Sequence, residues 1–167
     1  MIKIKKSYYP IDYPNELPYN MDVGRNMVAK KESLHIEYKE KLNKKDWHEW
    51  LKTLCAFSNT DGGDLYLGYN DEGKFIGIDK SEYDKQLLYV NQIIRDHTSP
   101  MIKYKANPID NNGNLCGIVF HIDKRPNCIT WLLINQNQNP IMYIRSQNST
   151  VQATIEEMQD ALISTST

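Results

Sequence analysis

Apolar residues recur at three- and four-residue intervals from Trp47 through Trp50, Leu51 and Leu54 to Phe57, a spacing that predicts a helix with one buried face. Asp46 precedes it and Glu49 follows three residues later, the pattern of a capping box. After Phe57 the period breaks at Asn59, Thr60, Asp61, Gly62 and Gly63, where glycine permits the left-handed turn that ends a helix. Leu65, Leu67 and Tyr69 then alternate with Tyr66 and Gly68, a strand pattern, and Asn70, Asp71, Glu72 and Gly73 make a turn. Phe75, Ile76 and Ile78 return as a second strand, so residues 64–78 predict a hairpin. Upstream, Leu34, Ile36 and Tyr38 alternate with His35, Glu37 and Lys39, which predicts a strand over 33–41 with a charged outer face.

Downstream, Ser81 is positioned to cap a helix whose Tyr83, Leu87, Val90 and Ile94 share a face and which ends before Pro100, with His97 as a helix-terminal residue. Met101–Ala106 and Leu115–Ile122 read as strands joined by DNNGN, and Ile129–Ile134 and Ile141–Arg145 repeat the scheme across NQNQNP. Thr154 and Glu157 form a second capping-box pattern, opening a helix with Ile155, Met158, Ala161 and Leu162 as its buried stripe. The order predicts an α+β fold: a mainly antiparallel or mixed sheet built from hairpins, with about three helices packed on it, in a single domain over 31–167. Residues 1–30 carry Pro10, Pro14 and Pro18 among tyrosines, the composition of an extended arm able to pack on the domain or on a second copy in a homodimer.

A chain of 167 residues, 40% of them hydrophobic, has material for one core. Its net charge of −1 argues against a uniformly basic coat. From Arg25 to Lys52, however, eight basic residues stand against five acidic ones. Three cysteines without CxxC spacing speak against a disulfide framework or a zinc knuckle, and the four histidines lack HxxxH spacing. Cys55, inside a helix pattern, reads as a small buried residue. With neither a signal-peptide pattern nor a membrane-length apolar run, a soluble cytoplasmic protein is expected.

Several separated motifs carry a family resemblance. Glu32, the triplet Glu37-Tyr38-Lys39, CAFSNTDGGDLYLGYNDEGKFIGI at Cys55–Ile78, Pro100, and YIRSQNST at Tyr143–Thr150 before a short helix resemble, in that order, the AlbA-like domain of Schlafen-type proteins. The resemblance covers roughly Lys31 to Ile163. It implies a nucleic-acid-binding domain of the kind found in bacterial proteins described as transcriptional regulators, or, as in RNA-cleaving members, an endoribonuclease acting on structured RNA such as tRNA or rRNA. By position, the three acids of those members correspond to Glu32, Glu37 and an acid of the Asn70-Asp71 turn, here Asp71; the family commonly has two aspartates where this chain has Asn-Asp. The family has also been described as ATP-binding, but no GxxxxGK[ST] cradle is present and backbone geometry accounts for Gly62-Gly63.

Three converging carboxylates suit Mg²⁺ or Mn²⁺, hard cations that neutralise a scissile phosphate and activate water. Glu32 and Glu37 would face opposite sides of one continuous strand, so convergence requires a bend near Ser33. Otherwise Glu37 is half of a surface pair with Lys39, Asp71 shapes its turn and Asp61 ends its helix. The binding reading assigns backbone contacts to Lys39, Lys41, Lys44, Lys45 and Arg145, with the Ser149 and Thr150 hydroxyls beside them. The alternative for Arg145 is a salt bridge next to a polar turn. A third reading is a non-catalytic oligomerisation or interaction domain using the N-terminal arm.

Overall fold

The computed structural model describes residues 31–110 and 113–165, together with two short strands, β1 (Tyr19–Met21) and β2 (Met27–Ala29), which pair antiparallel. The remainder of the expected N-terminal arm lies outside the described residues.

The main sheet grows around β4 (Gly63–Leu67), all five residues of which are buried. On one side β4 pairs in parallel with β3 (Ile36–Lys39), and on the other antiparallel with β8 (Leu115–Ile122). β7 (Tyr104–Asp110) runs along β8 from Cys116 to Ile122, so the short β5 (Ile78–Asp79), which pairs at Leu115 and Cys116, shares the β4 side of β8. A second sheet has the order β11 (Ser149–Gln152), β10 (Ile141–Ser146), β9 (Trp131–Leu132) and β6 (Thr98–Ser99).

Helix α1 (Trp47–Asn59) packs against strands of both sheets. Its buried set therefore extends beyond the predicted stripe to Thr53, Cys55, Ala56 and Ser58. Burial pushes the Cys55 thiol far above its ordinary range, in keeping with a packing role. Leu51, Leu54 and Phe57 join Leu65, Leu67, Ile118 and Phe120 of the sheet and Val90 and Ile94 of α2 (Tyr83–His97) in the principal core. The polar side chains of α1 act as joints to the second sheet: Ser58 Oγ lies 2.7 Å from Thr130 Oγ1, and Asn59 Nδ2 donates to the carbonyls of Thr130 and Tyr143. The α+β class, with mixed strand pairing and three α-helices among the described residues, is what the hydrophobic pattern predicts.

Local outcomes divide according to which hydrogen bonds were available. The Gly62-Gly63 corner behaves as expected. Gly62 has φ +77°, its amide donates to Phe57 O at 2.8 Å, and a Cβ on Gly63 would lie 2.6 Å from the Phe57 ring. The predicted 64–78 hairpin does not form as a ladder, because both edges of β4 are already taken by β3 and β8. The chain leaves through Gly68, at φ +94°, and the turn is spanned by an isolated Tyr69–Phe75 bridge, with the Ile76 and Gly77 amides both donating to Gly68 O at 2.8 Å. Asp46 makes no side-chain cap, and the Glu49 side chain, expected to reach back to it, pairs with Lys52 at 2.7 Å and His48 at 3.1 Å. Asp79 rather than Ser81 caps the second helical segment, accepting from the Ser81 amide at the 3-10 turn Lys80–Glu82 that precedes α2. β7 runs through Pro108 to Asp110 rather than stopping at Ala106; it pairs only with β8 among the described strands, an outer position where proline's missing donor is tolerated. In α3 (Ile155–Thr165) the Thr154–Glu157 box closes reciprocally at 3.1 Å in both directions. Met158 and Ala161 pack on Ile129, Met142 and Ala153, whereas Ile155 and Leu162, expected in the stripe, are exposed.

Candidate functional site

The backbone first determines whether the acidic residues can meet. Strand β3 does not extend back to Glu32: Leu34 and His35 form a turn closed by reciprocal amide–carbonyl bonds between Ser33 and Ile36 at 3.1 and 3.4 Å. This is the bend the convergence required. It folds Glu32 back along the strand, so that its Oε1 accepts from the Tyr38 amide at 3.2 Å. Glu37 lies in register with Leu65 of β4, on the face covered by the helices.

Asp71 sits exposed at the apex of the 70–73 turn. Asn70 builds that turn, its Oδ1 accepting from the amides of Glu72 at 3.0 Å and Lys74 at 2.9 Å. A side-chain carbonyl is what this geometry uses, which gives Asn70 a structural role. Burial, followed by the negative charge of Glu37 and more weakly that of Asp71, holds the Glu32 carboxyl above its ordinary value, while the Tyr38 amide and Lys39 work in the opposite direction. The three acids thus share one electrostatic neighbourhood.

They do not make a ready metal cage. Among the described residues no three His, Cys, Asp or Glu side chains form a group able to hold a metal ion. Glu37 is already neutralised: its Oε2 accepts from Arg145 Nη2 at 2.8 Å and its Oε1 lies 3.3 Å from Lys39 Nζ. A divalent cation bound to Glu37 would have to displace or sit beside a buried guanidinium, so this donor set does not fit Mg²⁺ or Mn²⁺ as it stands.

Arg145 corrects the reading of it as a backbone contact. Its side chain is 1% exposed, with Nη2 also reaching the carbonyls of Ser33 (2.9 Å) and Ile36 (3.0 Å) and Nη1 reaching Thr150 Oγ1 (3.1 Å). The guanidinium carbon lies 5.2 Å from the Phe57 ring centroid. Thr150, likewise expected at a phosphate, is occupied by Arg145 and by Thr53 Oγ1 at 2.9 Å, whereas Ser149 is exposed. The salt-bridge alternative for Arg145 is what the fold contains.

Of the predicted lysines, Lys39 turns back to Glu37, while Lys41, Lys44 and Lys45 are exposed and make no salt bridge among the described residues. They lie on the segment between β3 and α1, beside aromatic groups: Lys44 Nζ is 6.0 Å from the Tyr89 ring centroid, and Trp47 stacks on His97 with centroids 3.8 Å apart.

Sequence spacing gave no sign of a further constellation across β4 and β8. The buried Asp64 accepts from His121 Nδ1 at 2.8 Å, and His121 Nε2 lies 2.9 Å from Asp123. Burial opposes charge on His121, but the two carboxylates outweigh it and raise the imidazole's pKa. The cross-strand pairing of Asp64 with His121 is what brings these groups together.

The class defined by this arrangement is an α+β domain in which a buried arginine pins the Ser33–Ile36 turn and Glu37 of β3 to an R-x-x-x-S-T strand end. Residues 32–154 match the profile of the family described as Schlafen, AlbA_2, and the chain belongs to that family. Among curated proteins it is similar to an uncharacterized ATP-binding protein of Ureaplasma parvum, 28% identical over 97 residues, which are 53% of this chain and 27% of that relative. The matched region therefore spans about a quarter of the relative's length. No helix among the described residues is long and apolar enough to cross a membrane.

Two outcomes follow from the geometry. Arg145→Lys removes the planar fork while leaving Glu37 half-buried, and should lower unfolding free energy by about 3 kcal/mol or more in urea titrations. Glu32 binds its proton more tightly folded than unfolded, so its charge opposes folding as pH rises from the ordinary carboxylate range through the raised value. Glu32→Gln, whose amide oxygen can still accept from Tyr38, should raise the melting temperature at pH 7 and lose that advantage near pH 4.

Proposed function

We infer that the domain binds nucleic acid, as the recognition module of a regulator, and that the β3–α1 segment supplies the phosphate contacts. The carrying observation is the exposure of Lys41, Lys44 and Lys45, without salt-bridge partners among the described residues, next to Tyr89 and the Trp47–His97 stack. Lysines free to neutralise phosphates beside aromatic faces suit a single-stranded or locally opened polynucleotide. Family membership supports the same class of ligand. ATP binding, which the Ureaplasma relative's name carries, is left out of this reading because the sequence offers no phosphate-cradling glycine motif.

A second reading, a divalent-metal-dependent endoribonuclease using Glu32, Glu37 and Asp71, is favoured by one observation: Glu37 and Asp71 both act on the ionisation of Glu32. It ranks below binding because Glu37 is consumed by Arg145 and Lys39.

Fluorescence anisotropy with a labelled single-stranded RNA dodecamer should show affinity that falls steeply with salt. Replacing Lys41, Lys44 and Lys45 by Gln should weaken binding and make the log–log salt slope shallower by about 2, the loss of three phosphate contacts on a single strand. Salt-independent affinity, or an unchanged slope, would remove the lysines from the interface. Structured RNA incubated with the protein and Mn²⁺ or Mg²⁺ should remain intact; metal-dependent cleavage that disappears in Glu37→Gln would transfer the assignment to the second reading.

A further inference from the structure

Where α2 ends, a cavity of about 390 Å³ opens between its last turn and the segment leading to β10, with Asp96, His97, Ile134, Asn135, Gln136 and Pro140 among its walls. That volume is near the small end of the range of about 300–1,000 Å³ typical of small-molecule pockets. Resting on the nucleic-acid reading above, we propose that this cavity receives one unstacked base of the bound strand, and that the base is guanine.

The position of the cavity supports this. His97 in its wall is stacked on Trp47, two residues beyond Lys45 in the chain. Tyr89, which lies under Lys44, is eight residues earlier on α2, about 12 Å along the helix. Lysines holding the backbone and a cavity able to take a base therefore adjoin through one aromatic pair. The lining contains a carboxylate and no lysine or arginine, which favours a base edge over a phosphate.

The polar groups narrow the choice of base. Asp96, a lining residue, accepts at Oδ2 from Gln92 at 2.8 Å, and its carboxylate keeps acceptor capacity for a ligand. His97 Nδ1 donates to the Leu133 carbonyl at 2.7 Å, which leaves Nε2 as the ring nitrogen available for a second contact. Asn135 Oδ1 is held by the Asn137 amide at 2.9 Å, which leaves its Nδ2 as a donor. Guanine presents neighbouring N1–H and N2–H₂ donors beside the O6 acceptor, a complement to a carboxylate and an amide nitrogen. Uracil offers one ring N–H and no amino group. Ile134 and Pro140 supply apolar surface for the base faces.

The test compares labelled uridine dodecamers with dodecamers carrying two central guanosines, and follows the His97 imidazole resonances by NMR on titration with guanosine and uridine. Guanosine-containing RNA should bind at least about fivefold more tightly, a ratio that persists as salt lowers both affinities. Asp96→Asn should reduce the ratio to near one, and guanosine alone should shift the His97 resonances in the wild type. Equal affinities, a preference for another base, a ratio unchanged in Asp96→Asn, or no guanosine shift would overturn the assignment. Guanosine shifts without binding of any oligonucleotide would support the pocket and overturn the wider nucleic-acid reading; oligonucleotide binding without base preference would do the reverse.

Discussion

A guanidinium withdrawn from water must have its charge and its donors met, and the way Arg145 meets this requirement organises the domain. Its partners come from three places: the Ser33–Ile36 turn and Glu37 of β3, Thr150 of β11, and the face of Phe57 on α1. β3 stands at the end of the described sheet, paired only with β4. The arginine therefore secures the side of β3 that lacks a ladder and joins it to the second sheet. Stripping one member from such a cluster leaves a charge or carbonyls in a poor solvent, and the resulting cost is large even where the intact pair contributes little net stability.

Helix α1 carries the other half of this connection. An ordinary surface helix would keep Thr53, Ser58 and Asn59 in water, but this one has sheets on two sides. Thr53 meets Thr150, the same residue that accepts from Arg145, and Asn59 both donates to Thr130 O and accepts from the Thr130 amide at 2.7 Å. These bonds align the second sheet against the helix while apolar burial supplies the bulk of the attraction. The serine-, asparagine- and threonine-rich helix end thus has a packing role: it is the polar seam between two layers.

Elements whose own residues carry a local pattern were legible in the sequence: the three helices, the Gly62-Gly63 corner, the Thr154 capping box, and strands β8 and β10. Elements whose partners lie far away in the chain were not. The parallel pairing of β3 with β4 is specified by long-range contacts, and it took the edge on which a 64–78 hairpin ladder would have been built. At the site, the need for a bend beside Ser33 followed from the two-residue period of a strand, and the bend is present. The burial of Arg145 could not be deduced the same way, because a cation's partners 108 and 112 residues away leave no local trace. The alternative that paired it with a carboxylate needed only the general rule that buried charges are matched.

The distribution of charge around β3 constrains how a polyanion can lie on this surface. Lys39 is spent on Glu37, so the strand itself presents little positive charge, and Glu32 and the exposed Asp71 add negative potential at the turn end. Just past the strand, buried Leu42 anchors the connecting segment while Lys41, Lys44 and Lys45 on either side of it project into solvent. Screening at physiological salt limits the reach of each exposed charge to about 8 Å. On the proposed nucleic-acid reading, a phosphate backbone would be repelled from the acidic turn and attracted to the lysines, on the side where Lys44 lies over Tyr89 and Trp47 stacks on His97. By neutralising Glu37 from within, the buried arginine reduces the negative charge on β3 without itself reaching the surface.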